Sequence, residues 1–172
     1  YINAGARVFG ENCLVKNCGG YALAGTYGGE YSFNHCTFAN YWDENERSTP
    51  SVYINNWYEY NATNIVRPLI VQFDNCIIYG NKDKEFQTDL QTGATLTYTF
   101  TKCFIHTDED LSDILHYVNV FKNVDPLFAD PSNENFKLTV SSPCRDVGNG
   151  NLPTDILDQT RILPDVGCYE YQ

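Results

Sequence analysis

The chain contains no methionine, only 11 Lys plus Arg against 22 Asp plus Glu, and no long hydrophobic run. Each scarcity excludes something. A formal charge of -11 repels phosphate backbones, which argues against nucleic acid as a partner. An anionic membrane surface is disfavoured for the same reason. The longest apolar runs, such as Leu69-Ile70-Val71, are far too short to span a bilayer. There is no CxxC motif, and four residues separate Cys13 from Cys18, so the close spacing of a zinc site is missing. No Gly-rich phosphate loop or nucleophile elbow occurs, and neither end carries a signal-peptide or lipidation motif. A translation product starts with Met, so its absence leads us to expect a processed or trimmed piece, the C-terminal part of a longer protein.

What is present points to many short strands. The 172 residues suit one domain, with a globular 42% hydrophobic and 19% charged residues. The chain holds 18 Asn and 12 Gly, which tolerate left-handed backbone at turns, beside 13 Tyr and 10 Phe, which favour strands. Segments rich in Ala, Leu and Glu are scarce, so the expected class is all-β.

Four cysteines reveal a repeat. Gly10-Glu11-Asn12-Cys13-Leu14-Val15 aligns with Phe33-Asn34-His35-Cys36-Thr37-Phe38, with Phe73-Asp74-Asn75-Cys76-Ile77-Ile78, and with Phe100-Thr101-Lys102-Cys103-Phe104-Ile105. Three of the four have Phe three places before Cys, and all have an apolar residue two places after it. The cysteines are 23, 40 and 27 residues apart. A period in the twenties fits one coil of a parallel β-helix with three short strands, and the long interval reads as a coil carrying an insertion at about 41–67. Cys36, Cys76 and Cys103 are then expected as one interior column and Phe33, Phe73 and Phe100 as another, with a bend at His35. Residues 1–117 form the expected coils and 118–172 a last strand and cap.

Seven cysteines leave at least one without a partner in the chain. The column cysteines read as small buried hydrophobes, whereas Cys144 and Cys168, outside the repeat, are the best pair for a disulfide. Between them and the repeat, Asp108 to His116 carries acids in its first turn and Leu111, Ile114 and Leu115 on one helical face, so a short helix is expected.

The C-terminal third reads Asp125-Pro126-Leu127-Phe128-Ala129-Asp130-Pro131, then Phe136-Lys137-Leu138, Ser142-Pro143-Cys144-Arg145-Asp146-Val147-Gly148 and Asp165-Val166-Gly167-Cys168-Tyr169-Glu170-Tyr171. This series resembles the closing segment of secreted right-handed parallel β-helix proteins, including choice-of-anchor Q domain proteins. The resemblance covers roughly residues 118–172. It implies a right-handed, single-stranded β-helix of few coils with an irregular C-terminal cap. It also implies an extracytoplasmic place, at a bacterial cell surface or in the periplasm, and no particular activity. Cys144 and Cys168 replace the commoner small residues of that pattern. Prolines 126, 131, 143, 153 and 164 cannot extend a ladder, which suits a segment that ends the stack.

Candidate chemistry lies in the insertion. It holds both tryptophans, Trp42 and Trp57, with Asp43, Glu44, Glu46, Arg47, Tyr53, Tyr58, Glu59 and Tyr60. Aromatic faces with nearby acids suit sugars, so Trp42, Asp43, Glu44, Trp57, Tyr58 and Tyr60 are the expected glycan-binding residues. Packing of the loop on the coil wall is the competing reading. Asn61-Ala62-Thr63 matches a glycosylation sequon. The alternative function is the tail of a polysaccharide lyase or glycoside hydrolase. Asp43, Glu44, Glu46, Arg47, Asp74, Lys82, Asp83, Lys84 and Glu85 carry suitable groups, but no pair shows a recognisable spacing. His35, His106 and His116 occupy non-equivalent positions. No catalytic residue, metal or cofactor is therefore assigned, and the expected protein is a monomer whose partner is a polysaccharide or other glycan.

Overall fold

A computed structural model describes residues 5–150 and 152–172. These contain short strands and no α-helix. The chain runs through β1 (Arg7–Glu11), β2 (Leu14–Lys16) and β3 (Leu23–Gly25), then β4 (Gly29–Asn34), β5 (Thr37–Asn40) and β6 (Val52–Asn55). An antiparallel hairpin follows, β7 (Trp57–Tyr60) and β8 (Thr63–Val66). Next come β9 (Leu69–Asp74), β10 (Ile77–Gly80) and β11 (Phe86–Asp89), then β12 (Leu96–Thr101) and β13 (Phe104–Ile105), and finally β14 (Tyr117–Val118) and β15 (Phe121–Lys122).

Apart from the hairpin, these strands sort into three parallel sheets, visited first, second, third by β1–β3, β4–β6 and β9–β11, and then first and second only by β12–β13 and β14–β15. The first sheet is β1-β4-β9-β12-β14, the second β2-β5-β10-β13-β15, and the third β3-β6-β11. The expected all-β class is thus met, with parallel sheets. Neighbouring circuits keep one register: Phe33 pairs with Phe73 and Phe73 with Phe100.

The corner between the first and second sheets explains the repeat. Asn12, His35, Asn75, Lys102 and Asn119 occupy the same corner of successive circuits, all with φ between 49° and 54°. Asn tolerates this left-handed backbone best, which accounts for its recurrence. The cysteine that follows faces inward. Cys36, Cys76 and Cys103 are fully buried, and the amides of Cys13 and Cys36 each point at the sulfur of the next circuit's cysteine, 3.4 Å away. A small, apolar, weakly accepting side chain meets that need. The phenylalanine column also forms, with ring centroids 5.0 Å apart from Phe33 to Phe73 and from Phe73 to Phe100. The first circuit has Gly10 in place of Phe because the Phe33 ring lies over it; an added Cβ would sit 2.7 Å from that ring.

The tail differs from the expected end cap. β16 (Phe128–Asp130), a 3-10 turn (Pro131–Asn133) and β17 (Asn135–Leu138) lead into an irregular segment that runs back along the outside of the second sheet. Phe128, Phe136, Leu138, Cys144 and Val166 bury the outward face of that sheet, packing on Ile77, Tyr79 and Phe104. Both faces of the second sheet are therefore apolar, and β5 and β10 are buried at every residue. The tail touches four of the five levels of the corner. Lys102 donates to the Val147 carbonyl, the Asn149 amide to Asn75 Oδ1, the Cys168 amide to Thr37 Oγ1, and Asn12 Nδ2 to the Thr154 carbonyl. An outer apolar face needed cover along its length, so the tail is a lateral strap.

Two further expectations are corrected. All seven cysteines are free thiols; Cys144 and Cys168 are buried separately, and burial pushes both thiols well up. Residues 108–116 form turns. Asp110 accepts from the Ser112 amide and Asp113 from the Leu115 amide, so side chains take donors that a helix would use. Ile114 and Leu115, expected on a packed face, are 79% and 77% exposed.

Candidate functional site

The expected insertion is two loops separated by a wall strand. β6 pairs with β3 and β11 inside the third sheet, leaving residues 41–51 at one corner and the β7–β8 hairpin at the next. Four strand residues span about 13 Å, so the two halves of the expected site lie at opposite ends of β6.

The first half is structural. Arg47, 2% exposed, donates to both carboxylate oxygens of Glu85 at 2.6 and 2.9 Å, and also to the Thr49 and Asn40 carbonyls and Asn81 Oδ1. Glu85 accepts in addition from the Lys82 amide. This buried pair locks the loop to the wall and leaves neither group free for chemistry. Trp42 is half-buried with its ring close to Gly19, and its Nε1 donates to Asn45. Asp43, Glu44 and Glu46 point to solvent nearby. The remaining charged candidates are dispersed: Asp74 accepts from Gln72, and Lys84 pairs with Asp108. The histidines are engaged as well. His106 stacks on Tyr79, His116 stacks on Tyr98, and both His35 ring nitrogens face carbonyls of the tail.

The second half joins residues the sequence did not connect. Tyr53 projects outward from β6 between buried Val52 and Ile54. Its hydroxyl donates to Asp89 Oδ2 at 3.2 Å, while Trp57 Nε1 donates to Asp89 Oδ1 at 2.9 Å. Burial, then the Asp89 charge, pushes the Tyr53 hydroxyl up to about 12, so it stays a donor at neutral pH. Tyr21 packs on Tyr53 with centroids 5.7 Å apart, and Tyr27 meets Tyr58 edge-on at 5.4 Å. A depression of about 220 Å³ lies between Tyr21, Tyr53, Tyr27 and Asn55. Tyr27 also borders a second depression, of about 410 Å³, shared with Arg7, Glu30, Arg67 and Ile70.

The backbone holds this face firmly. The hairpin tip is Asn61-Ala62, both with positive φ (49° and 57°), the two-residue turn that matches strand twist. The sequon asparagine is therefore at an exposed tip. At the hairpin base, Asn56 exchanges two hydrogen bonds of 2.8 Å with the Gln91 backbone, and the Arg67 amide donates to the Asn56 carbonyl. Tyr27 itself has φ 64°, a costly conformation for an aromatic residue, held by its amide on Asn55 Oδ1 at 3.0 Å. Of the expected glycan residues, Trp57 and Tyr58 lie on this face. Tyr60 is at the exposed hairpin end, 64% accessible, and Glu59 is also exposed.

Among the described residues no group of three or more His, Cys, Asp or Glu is placed to hold a metal, and no helix is long and apolar enough to cross a membrane. Comparisons with protein-family models, with curated proteins and with solved structures give no match.

Proposed function

We propose that this chain is a right-handed parallel β-helix module of the extracytoplasmic surface, and that it binds glycan on the outer face of its third sheet. The recurring visit to the three sheets in one order through β11 and the constant register support the β-helix reading. The functional reading is carried by one observation: Trp57 and Tyr53 are both fastened to one carboxylate, Asp89, beside a line of further tyrosines. Flat rings offer apolar platforms for sugar C–H faces, and the oriented carboxylate and hydroxyl serve sugar hydroxyl groups. A site on a closed wall loses little conformational freedom on binding. Trp42, Asp43 and Glu44 fall outside this site, and Arg47 belongs to the scaffold.

Affinity electrophoresis in gels containing single polysaccharides tests the reading. Retardation by one or more of them is expected for the native protein, with about tenfold or greater weakening in Trp57→Ala. Retardation unchanged by Trp57→Ala, or none in any gel, contradicts it.

A further inference from the structure

The glycan reading leaves the larger depression unassigned, and its charge is unlike that of the rest of the molecule. The chain carries 22 acidic against 11 basic side chains, yet the residues lining this depression include two arginines, Arg7 and Arg67, and one acid, Glu30. Arg7 is spoken for through Nε, which lies 2.6 Å from Glu30. Arg67 is different. Among the described residues it has no carboxylate within ion-pair distance, and residues 1–4 and 151 contain no acidic side chain. Arg47 and Arg161 contrast with it, buried against Glu85 and Glu170; Arg145, also without a carboxylate, lies 4.0 Å from the centroid of the Tyr171 ring and donates to the Val140 carbonyl.

Arg67 is nonetheless positioned. Its guanidinium lies 5.9 Å from the centroid of the Tyr58 ring and touches the Tyr58 hydroxyl at 3.4 Å. Its main chain is tied at both sides, the amide to Asn56 and the following Pro68 carbonyl to the Gly29 amide. The wall opposite is Tyr27-Gly28-Gly29, all three with positive φ. Gly28 lets the two segments meet, since an added Cβ would lie 2.7 Å from Arg67 Cβ. The volume, about 410 Å³, falls within the range of small-ligand sites.

We infer that this depression is an anion-specific sugar subsite, in which Arg67, assisted by Arg7, takes the carboxylate or sulfate of an acidic saccharide while Tyr27 and Ile70 line the ring. The inference rests on the glycan reading of the adjoining face, with which it shares Tyr27. A guanidinium fork matches a carboxylate or sulfate with two parallel hydrogen bonds, which a point charge does not. The acidic remainder of the protein opposes this only weakly at physiological salt, where the Debye length is about 8 Å.

The test compares matched pairs of soluble saccharides by calorimetry: oligogalacturonate against its methyl ester, and sulfated against unsulfated dextran oligomers. The expected result is at least about tenfold preference for one anionic member, collapsing toward unity in Arg67→Gln and partly kept in Arg67→Lys. The charged pair preferred tells carboxylate from sulfate. Equal affinity for charged and neutral members, with binding lost in Trp57→Ala, overturns the anion subsite and leaves the glycan face standing. No binding to any saccharide overturns both. A preference that survives Arg67→Gln in a protein with unchanged thermal unfolding also overturns the assignment.

Discussion

Replacing His35 by Asn should remove a pH dependence of stability that the fold builds into its corner. His35 is fully buried, and its Nδ1 and Nε2 face the Asp165 and Asn149 carbonyls at 3.0 and 3.1 Å. A neutral imidazole carries one N–H, so one carbonyl faces an unprotonated nitrogen. Protonation would satisfy both, yet burial first, and then the Arg161 charge, hold the ring down to about 4 against these carbonyl contacts. In the unfolded chain it titrates near 6.5. Between those values the unfolded chain takes up a proton that the folded one refuses. The contribution is therefore fully present above about 6.5 and is lost as pH falls toward about 4. The gap corresponds to about 3 kcal/mol. Asp165 and Glu170 nearby are shifted up, mainly by burial, and act the other way, costing stability as pH rises. They are present in both proteins and cancel on subtraction. Urea unfolding followed by Trp fluorescence at pH 7.5 and pH 3.5 measures the effect. The native-minus-variant difference should fall by about 3 kcal/mol on acidification, about 1–3 M in midpoint. Asn suits the left-handed corner, as Asn12 and Asn75 show, so the variant is expected to fold. A difference independent of pH, or one that grows in acid, would refute the reasoning.

Phe73→Ala removes the central ring of the column and should cost about 3–5 kcal/mol, read as a lowered unfolding midpoint. Glu85→Ala leaves Arg47 buried without its carboxylate and should destabilise by about 3–5 kcal/mol, with a local loss of amide-exchange protection around residues 41–51. A thiol reagent should modify only the half-buried Cys13 and Cys18 in the native protein, slowly because burial raises both thiols, and reach the other five only on unfolding.

The parallel-sheet framework was legible in the sequence because its constraints are local and repeated. A left-handed corner residue followed by Cys, with Phe three places before it, recurs where the backbone demands it. His35 and Lys102 show that the corner accepts other residues once neighbouring circuits fix its conformation. The lateral strap was not legible. Its contacts join distant positions, Lys102 with Val147 at 45 residues apart and Asn12 with Thr154 at 142, and no spacing encodes them. The apolar runs Ile77-Ile78-Tyr79 and Phe104-Ile105 did hold a signal, since a strand apolar on both faces must be covered on both. The candidate site was half legible. Trp57 and Tyr58 stood out by composition, but Asp89, Tyr21 and Tyr27 reach them only through the register of the third sheet. Counting 41–67 as one insertion hid β6, whose outward Tyr53 separates the loop at 41–51 from the β7–β8 hairpin. The helix expected at 108–116 failed because Asp110 and Asp113 serve turns as readily as helix starts.

The two indole N–H groups make the most direct test, because each has its own partner, Asp89 for Trp57 and Asn45 for Trp42. Their resonances, assigned with Trp→Phe variants, can be followed by NMR while a polysaccharide fragment that retards the native protein is added. The account predicts that the Trp57 indole resonance moves in a saturable way while the Trp42 resonance stays in place. Movement of Trp42 alone, or of neither, would contradict it.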